Sequence, residues 1–334
     1  MKTWIKRLFL LLVLAAMTLA GGLAWYGNQP LPLASARVPG SAKTVNITPG
    51  MHLRSLAMML HREGVIDHPL VFRLLGRVLG KGGALKVGVY TLNPPLTPLK
   101  LFDIFERGEV SQALLQLIEG KNLREVRALL ANQPLLVNDS ARMSEAELLQ
   151  ALGADETHLE GLLFPDTYFY APHSSDIGVL RRAYQLQREK LRAAWETRAP
   201  GLPYRTPYEA LIMASIVEKE TGAAFERPLI AGVFLNRLRI GMRLQTDPTV
   251  IYGLGERFDG NLRRADLQRD TPYNTYTRAG LPPTPIAMPS EAAIRAALNP
   301  ASTHALYFVA RGDGTHVFSR TLDAHNRAVD RYQR

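Results

Sequence analysis

The chain has 334 residues, with 40 Lys and Arg against 30 Asp and Glu, a formal charge of +10, and no cysteine. Without thiols there is neither a disulfide framework nor a thiolate metal site, and an exported chain of this length can build its core without them. The basic excess favours anionic surroundings such as lipid headgroups or an acidic polymer, but no basic helix or aromatic-interleaved basic run points to nucleic acid.

Lys2, Lys6 and Arg7 precede an uncharged run from Leu8 to Trp25. As a helix this run spans roughly 27 Å, close to the ~30 Å hydrocarbon core of a bilayer. The basic flank stays cytoplasmic by the positive-inside rule and sends the rest of the chain outward, with Trp25 and Tyr26 at the outer interface. The prediction is a single-pass inner-membrane protein with its body in the periplasm. The alternative is a cleaved signal peptide, because Ala34-Ser35-Ala36 resembles a cleavage site. That tripeptide lies well past the apolar run, behind Pro30 and Pro32.

Residues 1–27 therefore read as cytoplasmic stub and anchor, and 28–43, rich in proline and small residues, as a tether. Val45-Asn46-Ile47 alternates like a strand, and Pro49-Gly50 makes a turn. Leu53, Leu56, Ala57 and Leu60 keep helical spacing up to Gly64, and Pro69 opens a second helix with Leu70, Leu74, Leu75, Val78 and Leu79 as its apolar residues. A return strand is expected over Lys86 to Leu92, so residues 44–108 form a small β-α-α-β module followed by a helix from Thr97 to Arg107. Gly76 to Gly82 resembles a phosphate loop but lacks its spacing and the hydroxyl residue after the lysine.

Residues 109–334 read as one further domain, with a strand over Gln112 to Ile118 and a helical insertion at about 121–200. Within it, Ser144 and Glu147 form a capping box, and a long helix from about Asp176 carries Leu180, Tyr184, Leu191 and Trp195 on its apolar side. Thr206-Pro207-Tyr208-Glu209 starts another helix, apolar or small from Ala210 to Val217, which ends at Glu218 and is expected to stop at a left-handed Gly222. A helix from Arg227 to Leu238, an N-capping Asp247 before Pro248, a helix from Glu291 to Leu298, a hairpin over Ala305 to Arg320 and a terminal helix complete an α+β chain.

The chemistry rests on Glu218. Leu211, Ser215 and Glu218 share one helix face, while Glu220 lies about 200° around the helix and suits an ordinary salt bridge. A helix-end glutamate is usually solvated or salt-bridged, so on its own Glu218 favours that reading over catalysis. Gln245, Thr246, Asp247, Tyr273, Asn274 and Tyr276 sit in turn-rich loops and are the residue types that hydrogen-bond and stack on sugars. The histidines show no metal-ligand spacing, and no cofactor motif is present.

Five segments together resemble the endolytic murein transglycosylases of the MltG, or YceG-like, family. They are S-I-V-E-K-E-T at Ser215–Thr221, the long run Phe234–Gly253, Y-N-T-Y at Tyr273–Tyr276, G-L-P-P-T-P-I at Gly280–Ile286 and E-G-L-L-F-P-D-T-Y at Glu160–Tyr168. The resemblance covers nearly the whole chain. It implies a LysM-like module at about 44–92 and makes Glu218 the catalytic glutamate. It also implies cleavage of peptidoglycan between N-acetylmuramic acid and N-acetylglucosamine, without water and without a cofactor. In such a reaction the muramic C6 hydroxyl attacks C1 and leaves a 1,6-anhydro end, so a single side-chain acid suffices. Apolar surroundings are expected to keep Glu218 protonated. Ser215, Glu220, Gln245, Asp247, Tyr273, Asn274 and Tyr276 are the candidate substrate contacts.

The implied role is termination of nascent glycan strands beside membrane peptidoglycan synthases. Two other readings remain open: a hydrolytic muramidase pairing Glu218 with Asp247, and a non-enzymatic wall-binding scaffold.

Overall fold

Helix α1 (Lys2–Asn28) takes up the whole apolar run, in a computed structural model that describes residues 2–32, 43–48, 50–81 and 85–333. Its span Trp4–Asn28 is long and apolar enough to cross a membrane. Ala34-Ser35-Ala36, most of the 28–43 tether, Pro49 and Gly82 lie outside the described residues. The chain divides into two compact units, Met1–Ala113 and Leu114–Arg334.

In the first unit β1 (Lys43–Ile47) is followed by α2 (Leu53–Arg62), α3 (Pro69–Val78), β2 (Gly88–Leu92) and α4 (Pro98–Arg107). β1 and β2 pair antiparallel, with Val45 opposite Tyr90. Thr97 caps α4 by accepting from Lys100 N–H at 3.3 Å. Of the apolar stripe read for α3, Leu75 is buried, beside Phe72 and Gly76, whereas Leu70, Leu74, Val78 and Leu79 are exposed. Gly76 is the reason: a Cβ there would stand 2.8 Å from Phe102 Cζ, so the small-residue face is the one that docks.

The second unit takes over within β3 (Ala113–Gln116) and continues with α5 (Leu123–Ala131), β4 (Leu136–Val137), α6 (Glu145–Leu152), β5 (Thr167–Tyr170), β6 (Ser174–Ser175) and α7 (Asp176–Glu196). Short strand pairs join this region, β3 to β5 and β4 to β6. The Ser144–Glu147 capping box of α6 is fully formed. α8 (Pro207–Glu220), α9 (Arg227–Arg239), α10 (Asp247–Leu254), α11 (Arg264–Gln268), α12 (Glu291–Leu298), the hairpin β7 (Tyr307–Ala310) and β8 (His316–Ser319), and α13 (Leu322–Tyr332) follow.

The apolar run of α8 is buried on every side from Ala210 to Val217, because α7, α9, α10 and α12 all pack on it. Thr206 caps the helix by accepting from Glu209 N–H at 3.3 Å, and the Glu209 carboxylate accepts in turn from Arg205 N–H. The helix stops on an extended Thr221 with φ −144°, and Gly222 is not among the left-handed glycines.

Gly161 is left-handed at φ +77°, and a Cβ there would meet the Pro285 ring, 2.6 Å from Cγ. This contact locks the 160–170 segment to the 280–286 loop. Gly161→Ala is therefore expected to cost about 2–4 kcal/mol from backbone strain plus overpacking. Chemical denaturation of the variant against the parent checks it.

Candidate active site

Glu218 ends the buried stretch of α8, and its side chain is 4% exposed. Its carboxylate has three donors. Arg227 Nη2, from the first turn of α9, reaches Oε1 at 3.2 Å. The Ser290 backbone N–H donates to Oε2 at 2.9 Å, and the Ser290 hydroxyl donates to the same oxygen. Ser290 is the N-cap of α12, so the positive end of that helix also faces the acid. The surroundings of Glu218 are thus polar, not the greasy pocket expected from the helix sequence.

Glu218 and Arg227 line a cleft of about 400 Å³ together with Gly120, Lys219 and Glu220. A larger cleft of about 1130 Å³ shares Gly120, Glu125 and Lys219 with it, and adds Arg124, Glu160, Tyr252 and Tyr273. Arg227 Nε is buried without a partner among the described residues, which leaves a spare donor beside Glu218.

Glu220, read as a salt-bridge residue and a substrate contact, has no ion pair among the described residues. Its carboxyl accepts from the Thr246 hydroxyl. Desolvation pushes it up to about 7, with Asp247 adding in the same direction and Thr246, His316 and Arg237 opposing. A second acid behaves similarly. Glu160 is 5% exposed and accepts from Leu123 N–H at 3.1 Å and from Tyr252 OH at 2.9 Å. Burial raises it to about 7 against those donors. Sequence reasoning passed over Glu160, Arg227 and Ser290. The only available signal was that Glu160 and Ser290 sit at the edges of otherwise apolar runs.

Two of the candidate contacts, one on α8 and one in a loop, are placed for other work. Ser215 is fully buried, donates to Ile212 O at 2.7 Å and accepts from Ile286 N–H at 3.0 Å. It fastens the proline loop and does not face the cleft. Asn274 is likewise fully buried: its amide donates to the carbonyls of Leu267 at 3.0 Å and Arg269 at 2.7 Å, and its oxygen accepts from Tyr276 N–H. Both therefore correct the substrate-contact reading, since hydrogen bonds within the protein use their polar atoms.

Tyr273 lines the larger cleft, edge-on to Tyr252 at 4.8 Å, with its OH bonded to Thr284 Oγ1 at 2.8 Å. Tyr276 OH donates to Asp247 Oδ1 at 2.6 Å. Asp247 is the first residue of α10, with Thr246 in the N-cap position one residue earlier than read. Gln245 is exposed, and its backbone is left-handed at φ +49°, a strained conformation for a residue with a side chain. Those four sit where a ligand can reach them or their immediate partners.

Residues 45–331 match the YceG-like family. The chain is 30% identical over 340 residues to an endolytic murein transglycosylase of Bacillus subtilis (strain 168), across 93% of this chain and 90% of that protein. It is 28% identical over 356 residues to an endolytic murein transglycosylase of Streptococcus pneumoniae serotype 2, across 95% of this chain and 63% of that protein. The crystal structure of a yceG-like protein from Listeria monocytogenes superposes with a TM-score of 0.54 at 30% identity, over 86% of this chain and 99% of the other.

Arg227→Met leaves the Glu218 charge buried without its cation and is expected to destabilise the protein by about 3–5 kcal/mol, read from denaturant midpoints. The raised acids give a pH dependence of known sign. A carboxyl at about 7 in the fold and 4.5 when unfolded favours the protonated protein, so its contribution is complete below pH 4.5 and is lost as pH rises through 7. Glu160→Gln removes this slope, and the wild-type-minus-variant stability difference is expected to fall by roughly 3 kcal/mol between those limits.

Proposed function

The chain belongs to the YceG-like family, and on that premise we propose that it is a peptidoglycan lytic transglycosylase in which Glu218 moves the proton. The observation that carries the reading is a buried carboxylate, held by Arg227 and Ser290, that lines a cleft beside a spare arginine donor. Burial of a charge is poorly repaid in stability, so such a group is retained for chemistry or specificity.

Protonated Glu218 gives its proton to the glycosidic oxygen as the bond from C1 of N-acetylmuramic acid breaks. The C6 hydroxyl of the same sugar bonds to C1 and returns its proton to Glu218, so acid and sugar end balanced and no water is consumed. Tethering of the hydroxyl supplies the effective molarity that a separate nucleophile would otherwise need. Arg227 must be drawn off Oε1 before the first step, and an anionic group on the glycan is its natural competitor. Gln245, Asp247, Tyr273 and Tyr276 are the candidates for holding the sugars.

The cut falls within nascent strands and ends their elongation beside membrane-bound peptidoglycan synthases. The β-α-α-β unit at 44–92 serves as a LysM-like module, either gripping glycan or acting as a spacer, and is supported by the antiparallel β1–β2 pair carrying α2 and α3. A retained α1 anchor with its basic flank in the cytoplasm keeps the body in the periplasm.

A second reading is favoured by Glu220, which lines the same cleft and holds a proton up to about pH 7. In that reading Glu220 is the donor and Glu218 only a buried anion. Glu218→Gln and Glu220→Gln separate them when full-length protein digests purified sacculi and the muropeptides are analysed by mass spectrometry. Glu218→Gln is expected to lose 1,6-anhydro products by about 10²–10⁴-fold while still binding glycan. Full activity in that variant, or reducing muramic ends from the wild type, rejects the proposal.

A further inference from the structure

At the other end of α8 from Glu218 lies a cavity of about 660 Å³, bounded by Pro207 and Tyr208 and by the α7 residues Gln187, Arg188, Arg192 and Trp195. Nothing in the proposed chemistry uses it. Gln187 is 1% exposed, and neither its Oε1 nor its Nε2 has a hydrogen-bond partner among the described residues. No other side chain there leaves both a donor and an acceptor buried and unpaired. A carboxamide in that condition is costly unless something supplies the missing partners.

The missing partner has a definite chemistry. A carboxamide presents acceptor and donor on one edge, which matches the N–H and C=O of another amide. Arg188 and Arg192 stand one turn apart on α7 beside it, and Arg192 has no ion pair among the described residues, so a carboxylate fits next to the amide. Trp195 and Tyr208 supply flat apolar walls for short aliphatic groups. Glu156 and Glu189 also line the cavity and suit an amine, although Glu156 already accepts from Tyr184 OH at 2.7 Å. An amide flanked by carboxylate and amine groups is a short peptide.

We propose that this cavity binds the peptide carried by the muramic acid residues of the glycan, with Gln187 pairing one peptide amide and Arg188 and Arg192 receiving its carboxylate. The inference rests on the peptidoglycan reading given above and adds a recognition site remote from the cleavage centre. Through it the enzyme distinguishes peptide-bearing from bare glycan.

The test uses full-length protein in detergent, with N-acetylmuramoyl-L-alanyl-D-isoglutamine and peptide-free N-acetylmuramic acid as probes in calorimetry and thermal melts. The dipeptide probe is expected to bind the wild type and to bind Gln187→Leu at least about tenfold more weakly, as loss of a buried hydrogen-bond pair implies. Without ligand, Gln187→Leu is expected to melt above the wild type, because it removes an unpaired buried amide. Should that variant fail to fold, Arg192→Ala, an exposed change, is expected to weaken dipeptide binding with an unchanged melt. Equal dipeptide affinity in wild type and the folded variants overturns the proposal, as does binding of the peptide-free sugar with the same loss in Gln187→Leu. Anhydro products from sacculi without any dipeptide binding sink the peptide site alone. Dipeptide binding without anhydro products sinks the enzymatic reading and leaves the cavity standing.

Discussion

Three helices converge on one carboxylate. Glu218 sits in the last turn of α8, where the helix's own carbonyls already carry negative charge and disfavour an acid. The opposing field comes from elsewhere: the N-terminus of α12 through Ser290, and the Arg227 guanidinium from α9. Desolvating a carboxylate and a guanidinium together costs several kcal/mol per ion, and the pair recovers it only with good geometry and further donors. An apolar residue at 218 would pack α8, α9 and α12 as well with less risk. That balance is what the proposed catalytic role of Glu218 would draw on, and the neighbouring cleft gives it access to a ligand.

The same three helices explain why the cleft has a fixed shape. Ser215, one turn before Glu218, ties α8 to Ile286, and Ser290 ties it to the start of α12, so the 286–290 segment is pinned at both ends. Gly161 lets the Pro285 ring close against the 160–170 segment, which brings Glu160 to the larger cleft. Met288 N–H then donates to Lys121 O at 2.7 Å, and Gly120 N–H to Met288 O at 2.8 Å, completing the wall beside Lys219. Each tie is a backbone or buried side-chain bond, the kind that holds a reacting group to a fraction of an ångström.

What was legible in the sequence was local. The α6 capping box, the Thr206 cap and the hairpin at β7–β8 depend on residues within a few positions of one another, and the structure has them. What was not legible depends on distance along the chain. Ser290 meets Glu218 from 72 positions away, and nothing in S-I-V-E-K-E-T announces it. Asn274 was read as a sugar contact because asparagine in a turn-rich loop usually faces water; here it faces inward and satisfies carbonyls left open at the end of α11. The buried face of α3 was misjudged because leucines count for more than glycine in a hydrophobic stripe, while close packing at Phe102 counts only shape.

The positions of the acids bear on the choice between lysis and hydrolysis. A hydrolase needs a second carboxylate free to activate water across the bond. Asp247, the partner first considered for that task, already accepts from Tyr276 OH at 2.6 Å. Glu220 and Glu160 are raised to about 7 by desolvation, a range that suits proton transfer, but Glu220 already accepts from the Thr246 hydroxyl and Glu160 from Leu123 N–H and Tyr252 OH. Among the described carboxylates Glu218 combines access to a cleft with an arginine partner and a hydroxyl contact at Ser290. In the proposed reaction one side-chain acid is enough, because the substrate brings its own nucleophile: the muramic C6 hydroxyl is attached to the very ring that is attacked. The cleft also carries Glu119 and Glu125, the latter paired with Lys121 at 2.7 Å, so the proposed intramolecular route rests on the setting of Glu218 and not on a lack of other carboxylates.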